Sequence, residues 1–205
     1  DMTTTQTPGS GVADIHRGPA QEARPDPVPK VVGIDPSLTA TGIAYRDGWC
    51  TKVGKAGITA LSLASRIEEV DRLLGDILEY LNGPVSLVVI ETPAFSRAGG
   101  GAVERHALWW MLVRRLTRRG TPLATVTSHQ RTMYATGKGM ASKQAVVDAV
   151  ARRLPMFETG GDDNLCDAAV LCAMGCEHLG APLAVMPATH RRALDKVTWP
   201  EAVTW

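Results

Sequence analysis

Two short apolar runs, each ending in a carboxylate, constrain this chain more than any other feature. They are Val31-Val32-Gly33-Ile34-Asp35 and Leu87-Val88-Val89-Ile90-Glu91. Each is rich in β-branched residues, too short for a buried helix, and followed by turn residues, so each reads as a fully buried strand. In both, the charge sits where the strand leaves the sheet. Ligands of open α/β sheets bind at the carboxyl ends of the strands. If the two strands are parallel neighbours, Asp35 and Glu91 converge. Two carboxylates about 4 Å apart repel by roughly 4 kcal/mol at an effective dielectric near 20. Such a pair shares a proton or holds a cation, and the expectation here is a metal site.

The pattern around these strands gives the rest of the domain. Thr41-Gly42-Ile43-Ala44-Tyr45 and Trp49 to about Gly57 read as two more strands, with Arg46-Asp47-Gly48 as a hairpin turn. Residues 61–81 carry apolar positions at three-four spacing (Leu63, Ile67, Val70, Leu74, Ile77, Leu78, Leu81) and predict an amphipathic helix stopped by Asn82-Gly83-Pro84. A second helix is expected over 102–119, with Ala107, Trp110, Met111, Val113 and Leu116 as packing residues. Trp109 and Trp110 read as core or dimer-interface residues. Leu123-Ala124-Thr125-Val126 is a fifth strand. Helices follow over 128–135, 143–154 and about 162–178. The order β-β-β-α-β-α-β-α-α-α indicates one α/β domain over residues 30–180. Residues 1–29, rich in Pro and Gly, read as a disordered or extended arm, and 181–205 as a tail with a short helix.

Composition narrows the function classes. Among 205 residues no apolar run approaches the roughly 20 needed to span a membrane, so no membrane association is expected. The four cysteines form no C-x-x-C pair, which argues against a zinc ribbon and suits a reducing cytoplasm. Net charge is +1, but the basic residues cluster: Arg114, Arg115, Arg118 and Arg119; Arg131, Lys138 and Lys143; Arg152 and Arg153. A basic surface around an acidic centre suits a metal-dependent enzyme acting on nucleic acid.

A third acidic group completes the centre. Asp167 opens an apolar helical run, Asp167-Ala168-Ala169-Val170-Leu171. At about 100° per residue, either Asp163 or Asn164 shares a face with it. Three or four oxygen ligands, with water and substrate, are how Mg²⁺ is held. Two ions about 4 Å apart would activate water and stabilise the leaving oxygen of a phosphodiester.

Four segments in register resemble the RuvC Holliday-junction resolvases of the RNase H-like nuclease superfamily. Gly33-Ile34-Asp35-Pro36-Ser37-Leu38-Thr39-Ala40-Thr41-Gly42 is similar to their first motif, and Ile90-Glu91 to their second. Thr136-Gly137-Lys138-Gly139 with Ala141-Ser142-Lys143 is similar to their basic loop, and Asp167-Ala168-Ala169 to their last acidic helix. The resemblance implies an RNase H-like fold: a five-stranded mixed sheet, strands 1–3 antiparallel, strands 4 and 5 parallel to strand 1, helices on both faces. It implies a homodimer that nicks four-way DNA junctions in recombination and repair, using Mg²⁺ or Mn²⁺, two ions per site. Asp35, Glu91 and Asp167 carry over as metal ligands. The family's fourth acidic position falls on Asn164, and Asp163 is the preferred substitute. Phe95 and Arg97, in the loop after Glu91, and Arg131, Lys138 and Lys143 are the expected DNA contacts. The departures from the bacterial pattern hint at a phage-borne member acting in the host cytoplasm.

Three other readings compete. The Asp-x-x-x-Thr-x-x-Gly pattern also resembles the phosphate loop of actin-like and sugar-kinase ATPases, but the chain lacks a second such loop. A junction-binding protein without cleavage is motivated by Asn164. A nuclease with a broader range of branched substrates, such as flaps and forks, is the third.

Overall fold

The computed structural model describes residues 28–93 and 101–201. Most of the expected N-terminal arm, and both Phe95 and Arg97, lie outside them. Five strands form one sheet in the order β3-β2-β1-β4-β5: β1 (Val31–Asp35), β2 (Thr41–Tyr45), β3 (Cys50–Val53), β4 (Leu87–Glu91) and β5 (Leu123–Val126). β1, β2 and β3 pair antiparallel, while β4 runs parallel to both β1 and β5. This is the mixed sheet expected from the sequence. Between and beyond the strands lie α1 (Leu63–Glu79), α2 (Ala102–Arg118), α3 (Ser128–Thr136), α4 (Lys143–Arg153), α5 (Asp163–His178) and the short α6 (Ala188–Arg191). Among the described residues no helix is long and apolar enough to cross a membrane.

Strand alternation divides the core in two. Val32, Ile34, Val88 and Ile90 point to one face, where they meet Leu73, Ile77, Leu108 and Leu112 of α1 and α2. Val31, Leu87 and Val89 point to the other, where they meet α5 and the helices beside it. The same parity continues to the strand ends. Asp35 and Glu91 therefore fall on the α5 side.

α5 lies unusually close to the sheet, and two glycines permit it. A Cβ on Gly33 would stand 2.1 Å from the Ala168 carbonyl oxygen, and one on Gly42 would stand 2.2 Å from that of Asn164. Real Cβ atoms do not approach backbone so closely, so only glycine fits there. This contact presses the first turns of α5 onto the ends of β1 and β2. Asp162 caps the helix, its carboxylate accepting from the Asn164 and Leu165 amides.

Two expectations for the helices need correction. In α2 the buried residues are Leu108, Trp109, Leu112 and Leu116; Trp110 and Ala107 face outward. Two overlapping three-four patterns compete in this helix, and the one carrying three leucines faces the sheet. In α1, Leu63 and Ile67 are exposed although they extend the apolar stripe. The segment after residue 181 is less tail-like than its sequence suggests. Met186, Ala193 and Val197 are buried against the α3, α4 and α5 layer. The His190 ring bonds through Nδ1 to the Tyr134 carbonyl of α3.

Candidate active site

One cleft of about 270 Å³ opens at the carboxyl ends of β1 and β4, with Asp35, Glu91, Arg131, Lys143, Asn164 and Asp167 among its lining residues. Five separate segments, β1, β4, α3, α4 and α5, deliver these side chains. β1 and β4 pair in register as far as Ile34 and Ile90, so the next residues, Asp35 and Glu91, leave the sheet side by side. α5, seated on Gly33 and Gly42, brings Asp167 and Asn164. α3 begins two residues after β5 and brings Arg131. A capping box between Thr127 and Gln130 fixes its first turn.

The loop after β1 is held by hydroxyls. Buried Thr41 donates from Oγ1 to the Ser37 carbonyl, 2.5 Å, and accepts from the Ser37 amide, 2.9 Å. That clasp closes the Pro36–Ala40 turn and leaves Ser37 on the cleft wall. The family-like Asp-Pro-Ser-Leu-Thr-Ala-Thr-Gly string is thus a strand end, a hydroxyl-clasped turn, and a glycine under α5.

The electrostatics are those of crowded carboxylates. Burial, then the charges of Glu91 and Asp167, push the Asp35 carboxyl well above its usual range, against the opposing pull of Arg131 and Lys143. Burial also pushes Asp167 up, to about 7, with Arg131 opposing and Glu91 and Asp163 adding to the rise. Arg131 is itself only 8% exposed. Its Nε donates to Glu91 and one terminal nitrogen donates to Asp167. Burial disfavours its charge, but Glu91 and Asp167 more than offset that and keep it protonated.

The structure brings Asp35, Glu91 and Asp167 to one cleft. It puts Asn164 on the cleft wall, whereas Asp163, the preferred fourth ligand, sits at the rim in an ion pair with Lys143. Lys143 lines the cleft from the start of α4. Lys138 is exposed on the loop between α3 and α4 and is not among the lining residues. Arg131, expected to face DNA, is turned inward between two carboxylates. Sequence reasoning missed Arg105, in the first turns of α2, which lines the cleft and has no ion-pair partner among the described residues. Its position four residues into a helix that follows the loop after Glu91 is the only signal that could have singled it out.

The donor set fits a hard divalent cation, since two aspartates, a glutamate and the amide oxygen of Asn164 are the ligands that Mg²⁺ and Mn²⁺ prefer. Burial and, after it, repulsion from Glu91 and Asp167 raise Asp35, and a bound cation opposes both. Among the described residues, however, no three acidic, His or Cys side chains are spaced as a ready cage. The Arg131 guanidinium stands between Glu91 and Asp167 instead.

No family model matches the sequence, and no curated protein matches it either. Solved structures do match. The chain is similar to RuvC of Thermus thermophilus, at 18% identity and a TM-score of 0.52, over 77% of this chain and 99% of that one. It is similar to T. thermophilus RuvC in complex with a Holliday junction substrate, at 17% identity and a TM-score of 0.54, over 78% of this chain and 99% of that one. The chain therefore has the RNase H-like fold of RuvC that its motifs led us to expect.

Proposed function

We propose that this protein is a divalent-metal-dependent endonuclease that nicks four-way DNA junctions. The observation that carries this reading is the convergence of Asp35, Glu91 and Asp167 in one cleft, on a fold shared with a RuvC solved with a Holliday junction substrate. Asp35, Glu91 and Asp167, with Asn164 as a neutral fourth oxygen, would hold Mg²⁺ or Mn²⁺, two ions per site. The chemistry such ions supply is Lewis acidity: a more acidic water and a stabilised leaving oxygen. The residues of the chain do the rest. Lys143 and Arg105 flank the carboxylates and can hold the phosphates on either side of the scissile bond. Lys138, exposed on its glycine-bounded loop, adds a further backbone contact.

A homodimer suits this substrate, because two-fold symmetry lets two sites address opposite strands of a junction. Exposed apolar residues on the first halves of α1 and α2 (Leu63, Ile67, Val103 and Trp110) offer a surface for it. An Arg66–Glu104 bond of 2.7 Å holds those two helix halves together.

The test is a synthetic four-way junction labelled on each strand in turn, incubated with the full chain and Mg²⁺ or Mn²⁺. Paired nicks in opposing strands, lost on chelation, are expected. A junction that shifts on a gel but is never cut would overturn the nuclease reading. It would favour the non-cleaving binder, a reading supported by the grip of Arg131 on two of the three carboxylates.

A further inference from the structure

We propose that Arg131 is a built-in counter-ion whose guanidinium shares one seat with the divalent cation, so that metal binding requires Arg131 to release Glu91 and Asp167. The inference rests on the cleft being a divalent-ion nuclease site.

Arg131 donates to one oxygen of Glu91 and one of Asp167, and both carboxylates are assigned as ion ligands. A hard cation held between the same two carboxylates would take the space that the guanidinium fills. The two positive charges would also repel across a poorly solvated cleft.

The metal-free protein, in turn, needs a cation there. Three carboxylates, Asp35, Glu91 and Asp167, line one cleft at the ends of β1 and β4 and the start of α5. Without Arg131, Glu91 and Asp167 would be buried facing each other without compensation, a costly arrangement. Among the described residues the acidic groups form no ready cage, and a guanidinium is held between two of them.

Arg131 is also delivered by a rigid element. The Tyr134 hydroxyl, one turn further along α3, donates to Glu177 of α5 at 2.6 Å. His190 fastens the Tyr134 carbonyl from the C-terminal segment, and Gln130 donates to the Lys196 carbonyl at 2.7 Å. The helix is thereby clasped from two sides. Release of the carboxylates falls to the Arg131 side chain, which can swing toward the cleft mouth. A DNA phosphate offers the guanidinium a matching two-oxygen partner there.

The experiment is a Mn²⁺ titration of the full chain, freed of metal, by calorimetry, alongside thermal melts with and without Mn²⁺. Arg131→Gln should bind Mn²⁺ on the order of tenfold more tightly than wild type, the effect of removing a competitor. Its metal-free form should melt lower, and Mn²⁺ should raise its melting temperature by more than in wild type. Arg131→Lys, which keeps the charge but loses the fork, should fall between the two. If Arg131→Gln does not fold without metal, Arg131→Lys carries the comparison. A residue that merely supports the site would give the opposite sign: weaker Mn²⁺ binding on its removal. Unchanged or weaker binding in the folded variants, with wild type binding normally, would overturn the counter-ion role alone. Failure of both wild type and variants to bind Mn²⁺ would overturn the ion-dependent reading and this inference together.

Discussion

The two faces of the sheet are built from the same strands by different rules. On the α1–α2 face the contacts are aliphatic, side chain against side chain: Val32, Ile34, Val88 and Ile90 against leucines and isoleucines. On the α5 face the strands carry Gly33 and Gly42, and helix backbone rests almost directly on strand backbone. A layer of side chains can repack around a change of a methylene. A backbone-to-backbone contact cannot, so it fixes position. Asp35, Glu91 and Asp167 all lie on that second face. One face supplies stability and the other supplies registration of charges.

Substitutions at the site should have the largest effects. Asp35→Asn or Glu91→Gln should reduce junction cutting by roughly 10⁴-fold or more, the scale seen when a catalytic group is removed. Junction binding, read on a gel, should hold or improve, because each change removes a negative charge facing the phosphates. Equal loss of binding and cutting would mark these carboxylates as structural.

Gly33→Ala comes next. Its new methyl group meets the Ala168 carbonyl and the Cys172 amide rather than mobile side chains. The cost should exceed the about 1–3 kcal/mol of overpacking an aliphatic layer. Any folded fraction should cut poorly, because α5 would be lifted off the strand ends. Leu112→Ala, on the opposite face, should cost about 2–5 kcal/mol in chemical denaturation. Its cutting rate per folded molecule should stay unchanged. A Leu112→Ala protein that folds but has lost activity would erase the distinction between the faces.

The two faces should also differ in their response to pH. Asp167 is raised from near 3.8 to about 7 in the folded chain. The native state therefore holds a proton there that the unfolded chain releases, and the associated stability is complete below about pH 4 and lost as pH rises through 7. Metal-free protein should lose melting temperature across that window. Asp167→Asn should lessen the slope, leaving the part that Asp35 contributes, while Leu112→Ala should shift the curve down without changing its slope.

The smallest effect expected is at Arg105. Arg105→Ala should weaken junction binding severalfold and reduce the salt dependence of binding by about one phosphate contact. An unchanged salt slope would remove Arg105 from the phosphate path.

The contrast between faces also explains what could be seen in the sequence. Strand ends marked by Asp35 and Glu91 were legible because a buried apolar run that stops at a charge has few alternatives. The antiparallel strands 1–3 were legible from tight turns, while the parallel placing of strands 4 and 5 came with the family resemblance. Asp167 was legible from helical periodicity. Orientation within helices was harder: α2 offered two overlapping stripes, and the leucines at 108, 112 and 116 faced the sheet in place of Trp110. The choice between Asp163 and Asn164 turned on one residue of helix phase. That phase is set by the Asp162 cap and by the tertiary seat on Gly42. The inward turn of Arg131 depends on the meeting of β4, α3 and α5, which no local pattern encodes.

Crystals of the full chain soaked in MnCl₂, measured at the manganese edge, test the central claim most directly. The account predicts anomalous density between Asp35, Glu91 and Asp167, with the Arg131 guanidinium moved off both carboxylates. Manganese bound elsewhere, with this cleft unchanged in protein that cuts junctions under the same conditions, would contradict it.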